Sequence, residues 1–180
     1  MKLQAEKTDR AATLLWFVPA RMRFEHLYNR IGRAVSFADG TLVPDALRLL
    51  FVGADGSLAW GCDFDGGVWG HPVVLRHDRA VIADLCSSLH FIDTRGRSVR
   101  SVELPAPANT ELLAGEDGAV FLGIGTRRSD AVCVEVDGEV RWQVTVARDD
   151  GLTRPMALQP GGGLWVATDT GLLLLDRRTG

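Results

Sequence analysis

Cysteine, net charge and long apolar runs are all scarce in this chain, and each scarcity closes off a class of protein. Three cysteines, Cys62, Cys86 and Cys133, stand far apart and odd in number among 180 residues. They have no C-x-x-C spacing for zinc or redox work. They are expected to be small buried hydrophobes. The 20 basic and 23 acidic residues leave a formal charge of −3, so no basic surface is expected to hold nucleic acid or an anionic membrane. Of the basic residues 18 are Arg, a bias that carries no functional weight. Nothing is long and apolar enough to span a bilayer. The one early apolar stretch, Ala11 to Ala20, follows a mixed-charge segment with Glu6 and Asp9 and lacks a clean cleavage site. A cytoplasmic location is the expectation, or a periplasmic one if the chain is a fragment.

What the chain has is repetition. Cys133-Val134-Glu135-Val136-Asp137-Gly138-Glu139-Val140-Arg141-Trp142 is an apolar run, an Asp-Gly turn and a second run closed by an indole. Glycine accepts the positive φ of a tight turn and Asp tolerates it, so this pattern specifies a hairpin. Copies occur at Leu50 to Trp60, at His90 to Val99 without the Trp, and at Leu173 to Gly180, where the chain stops on the turn glycine. Gly56, Gly96, Gly138 and Gly180 are spaced by 40, 42 and 42 residues. A second landmark, the segments beginning Gly40, Arg79, Gly118 and Gly162, steps by 39, 39 and 44. Two landmarks with one period define a structural repeat.

Each unit reads as four short strands. In the third they are expected at Thr110 to Ala114, Ala119 to Gly123, Ala131 to Val136 and Glu139 to Val146. Third strands such as Leu49-Leu50-Phe51-Val52 are continuously apolar, as befits sheets covered on both faces. Four-stranded units of this length point to an all-β propeller of about four blades, or a piece of a larger one. A β-sandwich of 12 to 14 strands is the weaker alternative, since it has no reason to keep a blade-length period. The repeats occupy residues 33–180, at about 33–66, 67–106, 107–150 and 151–180. Residues 1–32 form an N-terminal segment. Thr13-Leu14-Leu15-Trp16 lies 44 residues before Trp60, which predicts a blade-closing strand at about 12–18 to complement the fourth unit's missing strand. Phe24, Leu27, Tyr28 and Ile31, followed by Gly32, predict a short helix at about 19–31.

These units resemble the repeats of the pyrroloquinoline-quinone-like (quinoprotein-like) propellers, whose signature is an apolar strand, Leu-Asp, a Thr-Gly or Asp-Gly turn, and Trp four residues beyond the Gly. Leu175-Asp176-Arg177-Arg178-Thr179-Gly180 matches its first half, and Gly138 to Trp142 and Gly56 to Trp60 its second. Trp69-Gly70-His71-Pro72 and Thr153-Arg154-Pro155 resemble the Pro-led strand that follows. The resemblance implies that Trp60 and Trp142 dock between blades. Arg100 stands where the second unit should have Trp, so that dock is either missing or made by a stacked guanidinium. The vicinal Cys-Cys pair of the quinone-dependent enzymes is absent, so no cofactor is expected.

Catalytic and metal-binding patterns are equally thin. Asp63-Phe64-Asp65-Gly66-Gly67 lacks the spacing and closing Glu of a calcium loop. His26, His71, His77 and His90 have no metal-ligand spacing, and no Ser/His/Asp set can be assembled along the chain. The expected function is a non-catalytic module that binds a protein or peptide partner as scaffold or sensor, part of a longer polypeptide or alone. A truncated or degenerate quinoprotein-like oxidoreductase is the alternative. Strand direction alternates, so the blade-linking loops and the loop at Thr126 to Asp130 should emerge on one rim. That rim is expected to carry Asp63, Asp65, Trp69, His71, Arg127, Arg128, Asp149 and Asp150, a mixed-charge surface beside one indole. Unpaired blade edges are also a route to self-association.

Overall fold

Alternation of apolar strands with glycine turns produces a run of antiparallel hairpins. A computed structural model describes residues 33–45, 47–76, 78–125, 128–147, 156–168 and 171–180. The first sheet contains β1 (Val35–Phe37), β2 (Gly40–Asp45), β3 (Arg48–Gly53) and β4 (Leu58–Asp63). The second contains β5 (Val68–Arg76), β6 (Arg79–Asp84), β7 (Ser88–Asp93) and β8 (Ser98–Glu103). β9 (Leu113–Ala114), β10 (Val120–Ile124), β11 (Ser129–Val134) and β12 (Val140–Ala147) form the third; β13 (Met156–Leu158), β14 (Gly163–Thr168) and β15 (Gly171–Asp176) form the last. Within every sheet the strands lie in chain order and pair antiparallel. No helix occurs among the described residues; the helix and closing strand expected within residues 12–31 lie outside them.

The expected first strand of the third unit is shorter than its sequence implies. Thr110 turns its hydroxyl rather than its carbonyl toward β10 and accepts the Gly123 N–H at 2.7 Å. Ladder pairing therefore starts only at Leu113, opposite Phe121.

Three apolar clusters hold the sheets face to face. Phe37, Leu42, Leu49 and Phe51 of the first sheet meet Ala80, Ile82 and Ile92 of the second. Val81, Leu89 and Phe91 of the second meet Val120, Leu122 and Val132 of the third. Phe121, Cys133 and Trp142 of the third meet Met156, Leu164 and Val166 of the last. A middle sheet is thus buried on both faces, which explains why β6 and β10 carry no polar residue between their ends. The innermost strands meet in succession, β1 with β5, β5 with β9 and β9 with β13; no comparable contact joins β13 back to β1 among the described residues.

The hairpin from third to fourth strand is identical in plan in the first three sheets. Gly56, Gly96 and Gly138 adopt φ of 80°, 76° and 85°. Each fourth strand then bulges by one residue. Leu58 faces Val52 but Trp60 faces Phe51, so Ala59 is extra; Val99 and Arg141 are extra in the same way. A bulge re-aims the side chain beside it. Here it turns Trp60, Arg100 and Trp142 onto the following sheet. Trp60 donates its indole N–H to the Thr94 carbonyl at 3.0 Å. Trp142 donates to that of Arg177 at 3.0 Å. Arg100 lies over Gly138 and pairs with Glu139 at 3.5 Å, so a guanidinium takes the place of the missing indole.

Candidate functional site at the rim of the blade-linking loops

Meander topology sends the loops within a blade after its second strand to the same end as the loops between blades. That end gathers the chain's less ordinary polar groups. Asp45 and Asp84 close β2 and β6, 39 residues apart, and both are buried. Asp45 accepts from Arg48 at 3.1 Å. Asp84 uses one oxygen to accept the Cys86 and Ser88 N–H groups at 2.9 and 2.7 Å. Its other oxygen takes Nε2–H of His90 at 2.9 Å. A carboxylate only accepts, so Nδ1 of a neutral His90 is left as acceptor for the Ser101 hydroxyl, 3.0 Å away. Tertiary structure thus assembles an Asp84–His90–Ser101 chain that linear spacing does not reveal, with Ser101 exposed.

A cleft of about 340 Å³ opens in the third sheet's part of the rim, lined by Pro105, Ala106, Ile124, Gly125, Arg128, Asp130 and Gln143. Its wall is a polar cluster around Asp130. Arg128 Nε and Gln143 Nε2 donate to that carboxylate at 3.1 and 2.6 Å. Arg128 also donates to the Thr145 hydroxyl. Burial pushes the Asp130 carboxyl up, but the hydrogen bonds from Gln143, Thr145 and Arg128 outweigh it and hold it below the usual carboxylate value. The Arg128 side chain nevertheless remains 66% exposed. The cleft therefore offers an anchored cation and an amide beside an apolar floor.

His71 lies in β5 where its pairing with β6 is interrupted between Trp69, opposite Ala83, and Val73, opposite Val81. It is buried, with Arg33 Nη2 3.4 Å from Nε2 and Glu111 Oε1 3.6 Å from Nδ1. Arginine donates only, so Nε2 accepts and Nδ1 carries the proton that faces Glu111. Trp69 donates to the Thr110 carbonyl at 3.3 Å and packs into the cluster between the second and third sheets.

The expected rim residues are therefore divided. Asp63, the last residue of β4, and Asp65, in the first blade-linking loop, are both exposed, with Asp63 3.9 Å from Arg48. Arg128 is exposed at the cleft. His71 is buried and Trp69 half-buried, so these two support the surface and do not present it. Arg127, Asp149 and Asp150 lie outside the described residues. Arg33, Glu111, Asp130 and Gln143 were not singled out from sequence; only the repeated acid at Asp45 and Asp84 signals that strand ends here are polar by design. The cysteines also divide. Cys133 is buried, Cys62 is partly covered and Cys86 is exposed, contrary to the expectation that all three are core residues. Among the described residues no group of three or more His, Cys, Asp or Glu is placed to hold a metal ion, and no helix is long and apolar enough to cross a membrane.

No family model matches the chain, and no curated protein matches it by sequence. Solved structures do match. BamB from Moraxella catarrhalis, a β-propeller, superposes with a TM-score of 0.62 at 23% identity over 82% of this chain. This chain spans 46% of that one. The computationally designed Ika4 protein superposes with a TM-score of 0.65 at 9% identity, over 84% of this chain and 94% of its own. At these identities the likeness speaks for the fold alone, and with the four consecutive antiparallel sheets it establishes that the described chain is built from β-propeller blades.

Proposed function

We propose that this chain is a non-catalytic propeller module of quinoprotein-like type that binds a protein or peptide partner through the rim of the blade-linking loops. The observation that carries this reading is the open cleft at Arg128, whose guanidinium is held by Asp130 and Thr145 yet stays exposed beside Pro105, Ala106 and Ile124. Pre-anchoring reduces the entropy lost when the side chain engages a ligand. Arginine beside a small apolar floor suits an extended peptide with one acidic side chain, bound by charge-assisted hydrogen bonds and limited apolar burial. The size of the cleft fits a short segment and not a broad docking face.

Affinity capture with the full chain, followed by measurement of the recovered partner's Kd, tests this. Arg128→Glu is expected to weaken the complex by at least tenfold, the effect of losing roughly 1.4 kcal/mol or more. Arg95→Glu, at a turn on the opposite rim, should leave it unchanged. Equal binding by all three proteins removes the rim assignment.

A further inference from the structure

The second sheet places a histidine where its neighbours place an aliphatic residue. His90 on β7 faces Ser101 on β8, next to the pair Phe91 and Arg100 at the bulge. The same two positions hold Leu50 and Gly61 in the first sheet and Val132 and Gln143 in the third. A blade is therefore built equally well without an imidazole and a hydroxyl here. Setting them beside the buried carboxylate of Asp84 costs desolvation that an aliphatic side chain avoids.

The exchange creates a nucleophile, a base and a group that holds the base. Asp84 is itself fixed, because the Cys86 and Ser88 N–H groups donate to its Oδ1 at 2.9 and 2.7 Å. Its Oδ2 takes Nε2–H of His90 at 2.9 Å. The Phe64 ring, tilted by 53° with its centroid 4.8 Å from that of the imidazole, packs against His90 and limits its rotation. Nδ1 carries no proton and lies 3.0 Å from Ser101 Oγ, so the hydroxyl hydrogen is directed at a base. Ser98 Oγ lies 3.2 Å from Ser101 Oγ. With the one hydrogen of Ser101 directed at His90, Ser98 is the donor in that contact, sharing its hydrogen with the Arg100 carbonyl 3.3 Å away. It thereby supports negative charge developing on Ser101. β8 is the outer strand of its sheet and Ser101 is exposed, so a reagent reaches it from solvent.

We propose that Ser101 is an activated nucleophile and a site of covalent modification that takes the acyl group of activated carboxylic esters. Ser101 Oγ attacks the ester carbonyl carbon while its proton passes to His90 Nδ1. The bond from that carbon to the leaving oxygen breaks, His90 returns the proton to the departing group, and Ser101 keeps the acyl. Asp84 is a positioning residue, which holds the imidazole in the tautomer that can accept. The step marks the chain itself and completes no catalytic cycle. It uses none of the residues of the Arg128 cleft and is independent of partner binding there.

Labelling of the full chain with an alkyl fluorophosphonate tests this. The probe offers an electrophilic phosphorus, forms a P–O bond with an activated serine and releases fluoride; peptide mass mapping locates the adduct. Ser101 is expected to react about a hundredfold faster than exposed Ser57, whose hydroxyl donates to the Asp55 carboxylate at 2.7 Å instead of to an imidazole. His90→Gln, whose amide does not take up the proton, should slow labelling of Ser101 by about a hundredfold. Asp84→Asn keeps Oδ1 for the two backbone N–H groups but turns an amide N–H toward His90. That reverses the tautomer, leaves Nδ1 protonated and should slow labelling by about tenfold or more. Nitrogen NMR of His90 reads the change directly, with the proton on Nε2 in the unaltered chain and on Nδ1 in Asp84→Asn. Rates are compared in variants that circular dichroism shows to be folded. A network that serves stability alone predicts lower thermal midpoints with labelling unchanged, and that result overturns the proposal. Labelling of Ser101 no faster than of Ser57, or a tautomer unmoved by Asp84→Asn, also overturns it.

Discussion

The indole N–H of Trp142 donates to the carbonyl of Arg177 across 3.0 Å, joining the outer strand of one blade to the turn of the next. Its ring lies 5.9 Å from that of Phe121 and over Gly180. One side chain thus serves cross-strand packing, inter-blade packing and a hydrogen bond. Trp142→Ala is expected to lower the free energy of unfolding by about 3–5 kcal/mol. Trp142→Phe keeps much of the apolar contact and should cost about 1–2 kcal/mol, largely the lost hydrogen bond and the smaller ring. Urea titration followed by circular dichroism measures both.

Turn glycines separate backbone strain from docking space. Gly161 has φ of 96°, and a methyl group on its Cα would meet nothing within 4 Å, so Gly161→Ala should cost only the left-handed strain, about 1 kcal/mol. Gly96 has φ of 76°, and a Cβ there would lie 2.5 Å from Trp60 Cδ2. Gly96→Ala should therefore lose the same strain plus the displaced indole, about 2–4 kcal/mol in all. Equal thermal shifts for the two variants would show that the Trp60 dock contributes nothing to stability.

Acid should weaken the cleft through Asp130. Its carboxyl is depressed below the ordinary value of 3.8. A depressed carboxylate stabilises the folded state above its unfolded pKa, and that contribution is lost as pH falls through the lower, folded value. Stability is expected to decline below about pH 4, and Asp130→Asn should flatten that part of the profile. A profile identical to wild type would show that Asp130 is not linked to folding.

Thiol reactivity should follow burial and charge. Cys86 is exposed. Burial, with Asp63 nearby, pushes the Cys62 thiol up. Burial pushes that of Cys133 up to about 12. Since the thiolate is the nucleophile, native protein at pH 8 is expected to alkylate Cys86 first, Cys62 more slowly and Cys133 only after unfolding. Mass mapping of iodoacetamide adducts over time measures the order.

Blade identity was legible because it is local. The Asp-Gly turns, the unbroken apolar character of runs such as Leu49 to Val52, and the positive φ at Gly56, Gly96 and Gly138 each depend on residues a few positions away. Arg100 as a substitute for Trp was legible as one of two outcomes. The candidate site was much less so. Arg128 could be placed on a rim by strand direction, but Asp130, Gln143 and Thr145 come together only through the pairing of β11 with β12. His71 looks like a loop residue beside Pro72, yet its burial depends on Arg33 and Glu111, which neighbouring blades deliver.

Sequence alone determined the repeat, its antiparallel hairpins and the position of each inter-blade side chain, since turn chemistry and apolar patterning act over short distances. Tertiary structure decided which polar groups meet. Asp84, His90 and Ser101 become neighbours through strand pairing, Arg128 acquires its anchor through the register of two strands, and Trp60, Arg100 and Trp142 find their turns through a one-residue bulge. Those choices are made by ladder geometry and by burial against the next sheet, neither of which any single stretch of the chain encodes.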